Sequence, residues 1–544
     1  MSLPLQKIRF EEGTGMENND EKQEVRLLSD GFQSFEEIRN EHRVYVDKTD
    51  MVWKIANTKK YNFLSRPRRF GKSLLTSTLK CYFEGRTDLF QGLKIMEKEK
   101  NWVKRAVFQF DFSGCETAES LENYLRDTVS EYEKIYGASD YTNTHDRFKA
   151  LMRNACEKTG QQVAVLVDEY DSPLQHTLTE EEEHKKLVKV YRSFFPVMKS
   201  GSDWLKCLFI TGITKFTQLS LFSMLNTMSI LSTNPDYATV CGITEQELID
   251  NYMPEIEALG EKNGWTVEQT LQELRNMYDG YCFSNDLSKS VYNPFSLISA
   301  LADKNLGYYW ASSGASAMLK DMLVKSEENG KRLEGRRISK MKLDTSDVSL
   351  KDSTNFLYQS GYLTIKDCYP DGFVLGIPNN EVRRALYDIV LPNITKKDSE
   401  DVDEAIEGMK CALADGNIAG MMENLKLVAA QTPYPTRKGE HVYEERFQFI
   451  VKGALILCGC RVQDEPHIAT GRPDIVAQKD NTTMVFELKL DNNGGLEAAK
   501  RQLADRNYTA AYLHKGCDVY AIAVSFSTDD SIRGISGYDI KKVC

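Results

Sequence analysis

The 544-residue sequence has no run of the ~18 apolar residues needed to cross a bilayer, so no membrane span is expected. Its start, Met1-Ser-Leu-Pro-Leu-Gln-Lys7, lacks the basic end and apolar centre of a secretory signal. Twelve cysteines are scattered singly, apart from Cys458-Gly-Cys460, with no Cys-x-x-Cys pair and no clustering with the seven histidines. That excludes a zinc site of familiar spacing and a disulfide framework. The thiols read instead as small buried hydrophobes in a reducing cytoplasm. No internal repeat or low-complexity tract is present. Positive charge is also short: the net charge is −11, which excludes a surface coated for non-specific nucleic-acid binding. Any such contact must be local. The densest basic cluster, Lys331, Arg332, Arg336, Arg337, Lys340 and Lys342, reads first as a solvated face.

What is present is globular: 41% apolar and 27% charged residues, with room for three or four domains at roughly 150 residues each. Residues 1–27 read as a flexible N-terminal extension; Met1–Gly15 does not flow into the later pattern, and Met16 is a second candidate start. Residues 28–235 alternate strands and helices. A helix, a short strand Arg43–Val46 and a second helix lead to the strand Tyr61–Ser65. Later come a helix from Leu74 to Phe83, a strand Ala106–Phe112, a helix Leu121–Tyr136, and the apolar runs Val163–Val167 and Cys207–Thr211. Uninterrupted apolar runs suit strands buried on both faces, so a doubly wound α/β core is expected. Residues 236–429 read as mostly helical, with short strands at Leu363–Ile365 and Phe373–Ile377. Thr432–Gly439 reads as a linker. Residues 430–544 form a separate α/β unit, with helices Tyr443–Leu457 and Leu496–Leu513 and strands around Ile475, Val485 and Val519–Ser525.

Two motifs carry chemistry. In the first, Tyr61–Ser65 runs into Arg66-Pro-Arg-Arg-Phe-Gly71-Lys72-Ser73, a strand–loop–helix in which backbone N–H groups and a helix N-terminus can hold phosphates. Lys72 would reach the β/γ-phosphates of ATP and the Ser73 hydroxyl would bind Mg²⁺, with Arg69, Phe70 and Gly71 forming the rest of the cradle. The usual pattern has a glycine where Arg66 stands, which departs from the ordinary loop. Asp168, at the end of an apolar strand, would complete the Mg²⁺ shell, and Glu169 would activate water. Thr214, after the next strand, could sense the γ-phosphate or simply end a strand. Arg66, Arg68 and Arg69 could touch phosphates, touch a second subunit of a homo-oligomer, or be surface charge.

The second motif is Gly471-Arg-Pro-Asp474 followed by Glu487-Leu-Lys489. A hairpin turning at Asp480-Asn481 would set Asp474 opposite Glu487, about 5 Å apart at Cβ. Met484, Phe486, Leu488 and Leu490 would share one face, and Val485, Glu487 and Lys489 the other. Two carboxylates can hold Mg²⁺ (or Mn²⁺), and the lysine can position or activate water. Glu444 and Gln448, four apart on one helix, and Gln502 on the later helix could add a group to the metal or the scissile phosphate, or be solvated faces.

These residues resemble a known family, the bacterial AAA-ATPase-like proteins fused to a C-terminal PD-(D/E)XK nuclease domain. The resemblance rests on Tyr45-Val-Asp-Lys48, Phe63–Ser73, Val167-Asp-Glu-Tyr-Asp171, Thr211–Phe216, Tyr278-Asp-Gly-Tyr281, Tyr292-Asn-Pro294, Tyr309-Trp310 and the Asp474…Glu487-Leu-Lys489 set. Arg66 is usual in that family. The resemblance implies a P-loop ATPase core, a helical, winged-helix-like middle region and a restriction-endonuclease-like end. It implies a metal site at Asp474, Glu487 and Lys489, supported by Glu444 and Gln502. The expected function is an ATP-binding and hydrolysing protein that controls a Mg²⁺-dependent nuclease, acting on nucleic acid, DNA ahead of RNA. The competing reading is a nucleotide-switched binding or signalling protein whose nuclease fold serves recognition alone.

Overall fold

A computed structural model of the chain describes residues 26–178, 180–215, 228–310, 334–344, 353–394, 399–431, 440–464, 466, 468, 471–513, 516–527, 529 and 534–544. The start region Met1–Gly15, the Thr432–Gly439 linker, and Lys331 and Arg332 of the basic cluster lie outside the described residues.

The N-terminal sheet is built from β1 (Tyr61–Ser65), β2 (Val107–Asp111), β3 (Val163–Asp168), β4 (Leu205–Gly212) and β5 (Ser229–Ile230), in the order β2-β3-β4-β1-β5. Every pairing in it is parallel. Residues of β3 are buried throughout, as the run Val163-Ala-Val-Leu-Val167 requires. Helices cover both faces. Lys72–Phe83 packs Leu75 and Leu79 with Leu166 and Phe209 on one side; Ala118–Tyr136 and Thr144–Thr159 pack Leu121, Leu125, Phe148 and Leu151 with Phe110, Val165 and Ile210 on the other. With β4 inserted between β1 and β3, four strand C-termini lie along one edge: Ser65 pairs with Gly212, and Asp111 with Asp168. That edge is where a doubly wound sheet binds ligands.

The expected strand Arg43–Val46 is not a strand. The segment is extended, and the Val44 N–H donates to Leu27 O at 2.9 Å, but no ladder continues from it. β-branched residues favour extension there; a strand needs a partner edge, and tertiary packing supplies none.

The middle region is helical, with an antiparallel three-stranded sheet of β6 (Arg336–Ser339), β7 (Thr364–Tyr369) and β8 (Gly372–Gly376) in the order β6-β8-β7. One helix, Asn380–Ile394, links the two ends of the molecule. In its first turn Glu381 accepts the Trp310 N–H at 2.8 Å. Trp310 packs edge-on against Tyr362, with ring centroids 4.7 Å apart. Beside it, Gly361 lies so close to Pro67 that a Cβ would come within 2.7 Å of the proline ring. Two turns along the same helix, Tyr387 packs on Phe449 at 4.8 Å and on Gly453, where a Cβ would meet its ring at 2.6 Å. Both residues belong to the helix Glu440–Leu457.

The C-terminal sheet follows the order β13-β12-β11-β10-β9, from β9 (Arg461–Asp464), β10 (Ile475–Lys479), β11 (Thr482–Leu490), β12 (Asp518–Ser527) and β13 (Gly534–Lys542). β11 and β12 run parallel and the other pairs antiparallel. The predicted helix Leu496–Leu513 is two pieces, Gly495–Arg506 and a 3₁₀ turn Tyr508–Tyr512, broken at Asn507 in the left-handed region (φ 46°). All twelve cysteines are free, and seven of them are buried, as expected of small hydrophobes.

Candidate functional sites

The first candidate site lies where β1, β3 and β4 end. Gly71 has φ 84° and begins the helix Lys72–Phe83, which no side chain caps. A left-handed N-cap favours glycine, and an uncapped first turn leaves N–H groups open to an anion. Lys72 is buried; its Nζ donates to Pro67 O at 3.1 Å and lies 3.8 Å from Glu169 Oε1. Ser73 hydrogen-bonds to the Asp168 carboxyl, which burial pushes up to about 6 against that bond. Arg69 and Glu169 both hold left-handed backbones, φ 67° and 49°. Non-glycine residues seldom adopt that conformation, and where they do the strain often marks function.

The loop residues divide. Phe70 is buried against Tyr281 and Phe283 at 4.7 and 5.5 Å, so only its backbone faces the loop. Arg69 lies exposed over the Phe295 ring at 4.4 Å. Arg66 is not surface charge. It is buried, stacks on Phe283 at 4.1 Å, and donates to Ser232 O at 2.7 Å, Tyr237 O at 3.0 Å and its neighbour Ser65 O at 3.0 Å. The side chain standing in place of a glycine thus ties the loop to the segment after β5. Arg66→Ala would leave those carbonyls unpaired and cost about 2–4 kcal/mol, read by denaturant unfolding. Arg66→Lys should recover only part, since an ammonium cannot span two carbonyls as a fork does.

Thr214 is drawn into a buried network. Its N–H donates to Asp171 Oδ2 at 2.6 Å, and its hydroxyl accepts from Gln175 Nε2 at 3.1 Å. Asp171 also accepts the Ile213 N–H at 3.1 Å, and a Cβ on Gly212 would collide with it at 2.2 Å. By the β3–β4 register Thr211 is the residue beside Asp168, and its hydroxyl is buried without a partner among the described residues. The sequence motif contained Thr211; only the register distinguishes it from Thr214. Sequence reasoning also missed an apolar pocket next to Gly71, lined by Tyr45, Val46, Val240, Ile243, Pro294 and Ile298. Its residues come from three remote segments, so no local pattern could have exposed it.

The second candidate site lies on the β10–β11 hairpin. Ile475 pairs with Phe486 and Lys479 with Thr482, so the chain turns at Asp480-Asn481 and the next position sets Asp474 opposite Glu487. Met484, Phe486, Leu488 and Leu490 enter the main core, while Val485 packs with Val476 and Tyr508 on the other side. Asp474 Oδ2 accepts the Leu488 N–H at 2.7 Å. The Glu487 side chain is fully buried and Lys489 Nζ lies 2.8 Å from its Oε1. Its Oε2 is buried with no hydrogen-bond partner among the described residues. Burial, then the neighbouring Asp474, push Glu487 up to about 7, against the pull of Lys489 and Gln502. Burial depresses the Lys489 ammonium, but Glu487, with Asp474 and Glu444, outweighs it and holds the lysine above its ordinary value. Gln502 Nε2 donates to Tyr508 Oη at 3.2 Å. Glu444 accepts from Asn493 Nδ2 at 3.4 Å, and Gln448 follows one turn later, half-buried.

Among the described residues no three His, Cys, Asp or Glu side chains gather as a metal cluster. The donor set still fits a hard cation: an orphaned buried carboxylate oxygen beside a second carboxylate is what Mg²⁺ would satisfy, with water completing the shell.

Comparison with known proteins identifies two domains. A family model described as a predicted AAA-ATPase matches residues 30–222, and one for the PD-(D/E)XK nuclease superfamily matches residues 438–534. A relative from Azotobacter chroococcum mcd 1, described as an uncharacterized protein in the vnfD 5' region, is 28% identical over 524 residues, covering 94% of this chain and 98% of its own. Among solved structures, the Aeropyrum pernix ORC2 protein aligns at 11% identity and TM-score 0.25, covering 69% of this chain and 97% of that one. Cdc6p from Pyrobaculum aerophilum aligns at 9% and 0.27, covering 78% and 87%. Both scores are low, and the fold assignment rests on strand order and register. No helix among the described residues is long and apolar enough to cross a membrane. The chain joins a predicted AAA-ATPase domain to a C-terminal domain of the PD-(D/E)XK nuclease superfamily.

Proposed function

We propose that the protein is an ATP-regulated, Mg²⁺-dependent nuclease of the cytoplasm, cutting nucleic acid, DNA ahead of RNA. The observation that carries the reading is the buried Glu487, its Oε2 unpartnered, between Asp474 and Lys489. Asp474 and Glu487 would hold the ion, Mg²⁺ or Mn²⁺, which when bound polarises the phosphate and lowers the pKa of its water. Lys489 would orient that water and meet charge developing on the phosphate. Glu444 and Gln502 would support the ion and the pair from the flanking helices. At the other site, Gly71, Lys72 and the open helix end would grip the phosphates, with the backbones of Arg69 and Phe70 shaping the cradle. Ser73 and Asp168 would hold Mg²⁺, Glu169 would receive the proton of the attacking water, and Thr214 would hold the Asp171 network next to the γ-phosphate. The apolar pocket at Tyr45 would take the base.

ATP state controls cutting in this reading. A continuous run of packed groups supports it: Pro67 of the loop, Gly361 and Trp310, Glu381, then Tyr387 against Gly453, on the helix that carries Glu444. Pro67 carries the loop carbonyl that accepts from Lys72, a contact any phosphate would rearrange. A helix of fifteen residues spans about 22 Å, enough to carry a shift as a rigid strut. Nucleotide shifts cutting only by binding two arrangements unequally. Cleavage of DNA and RNA is therefore measured without nucleotide and with ADP, ATP and a non-hydrolysable analogue, at matched free Mg²⁺. A difference of at least about fivefold is expected, lost in Lys72→Ala and reduced in Gly453→Val. Equal rates in all four states would leave two independent domains.

A further inference from the structure

The face of helix Gly495–Arg506 that brings Gln502 toward Glu487 also carries Ala498, Arg501 and Asp505, at helical spacing. With Arg472, Arg506 and Tyr508 they line an open pocket that shares Gln502 with the carboxylate pair. Arg472 stands two positions before Asp474. Its lining holds three guanidinium groups and one carboxylate, Asp505, in a chain of net charge −11. Arg501 and Arg506 are exposed and neither is in an ion pair among the described residues. Lys500, the neighbour of Arg501, is by contrast tied to Glu497 at 2.8 Å. The floor is fixed: Tyr508 is buried, holds the Gln502 amide, and lies against Gly471, where a Cβ would come within 3.0 Å of its ring. Three residues of the densest basic cluster in the sequence are engaged elsewhere. Arg336 donates to Thr354, Lys340 to Pro370 O, and Arg337 lies over Tyr369.

We propose that this pocket grips the phosphodiester backbone of one nucleic-acid strand beside the cut position, with Arg501 and Arg506 as its principal contacts and Arg472 as a third. The proposal rests on the nuclease reading above. Planar guanidinium forks match phosphate oxygens two at a time. A local grip is also what an acidic protein needs, since its overall field repels the substrate. Gln502 then touches both halves of the site: its helix face holds the strand while its amide neighbours the carboxylate that would hold the ion.

The test is fluorescence anisotropy of the full chain with a labelled DNA duplex, a DNA single strand and an RNA strand of equal length. An Asp474→Asn background keeps the probe whole. Binding is titrated across salt concentrations. The Arg501→Ala/Arg506→Ala double variant should bind its preferred probe about tenfold more weakly, and the slope of log affinity against log salt should fall by roughly 1.5. Arg501→Lys/Arg506→Lys should restore the slope, because the slope counts charges, and Lys500→Ala should leave it unchanged. Circular dichroism and denaturant unfolding matching the parent's establish that each variant is folded. If the parent binds and the double alanine variant keeps its affinity and slope, the pocket is not the strand's seat; the nuclease reading would survive on the Asp474 result. If the variant loses binding while the wild-type protein cuts none of the probes with Mg²⁺ or Mn²⁺, the pocket stands and the nuclease reading falls. No binding of any probe by the parent would overturn the pocket.

Discussion

Asp474→Ala is expected to lower cleavage by about a thousandfold or more, and to abolish Mn²⁺ binding at the hairpin in a calorimetric titration. The expectation follows from how the pair is built. Glu487 is buried, and its burial and its carboxylate neighbour both favour the protonated form. A cation is what would make two negative groups tolerable there, and one carboxylate alone leaves the ion under-coordinated. Asp474 also accepts the Leu488 N–H, so alanine removes a hairpin contact of about 1 kcal/mol. Asp474→Asn keeps a carbonyl oxygen for that contact and separates the two effects: it should fold like the wild type and still fail to cut. Lys489→Ala divides the roles further. It should keep the ion and lose about 10²–10⁴ in rate, the usual worth of a positioned acid–base group. Cleavage by the Asp474→Ala protein at the wild-type rate would refute the site outright.

Lys72→Ala is expected to weaken ATP binding by about 10–100-fold, the worth of a charge-assisted contact of roughly 1.5–3 kcal/mol. Lys72 is buried at the uncapped end of its helix, with Glu169 3.8 Å away and Pro67 O at 3.1 Å. On binding it would exchange the loop carbonyl for phosphate oxygens. Glu169→Gln should give the opposite split. It keeps the size of the side chain and the left-handed turn, so ATP affinity should be near that of the wild type while hydrolysis slows by about 10²–10⁴. Equilibrium binding of a fluorescent ATP analogue, with single-turnover hydrolysis, distinguishes the two. Unchanged affinity in Lys72→Ala would remove the loop from consideration as the nucleotide site.

Both clusters were legible in the sequence because their geometry is local. The hairpin needs only a turn at Asp480-Asn481 and side-chain alternation to set Asp474 opposite Glu487, and the observed register Ile475 to Phe486 follows that rule. The loop at Gly71 needs only a strand before it and a helix after it. The apolar runs likewise announced β3 and β4 as strands buried on both faces.

Other features depend on which remote segments pack together, and no spacing rule encodes that. The alternation of strands and helices fixed a parallel sheet; the place of β4 between β1 and β3, which brings Thr211 beside Asp168, came from packing. Arg66 could be surface charge until the fold buried it on Phe283 and gave it the carbonyls of Ser232 and Tyr237. Arg43–Val46 has strand-like residues, but a strand is a pairing and no edge reaches it. Gln502 and Arg501 look like ordinary helix surface until Tyr508 and the hairpin are set against them. By itself the sequence determined the two candidate clusters and the strands that hold them, because those rest on contacts between near neighbours. Tertiary structure alone decided what surrounds each cluster, the apolar pocket at Tyr45, the arginine face and the helix Asn380–Ile394 between the two ends, because burial and proximity across hundreds of residues are properties of the packed chain.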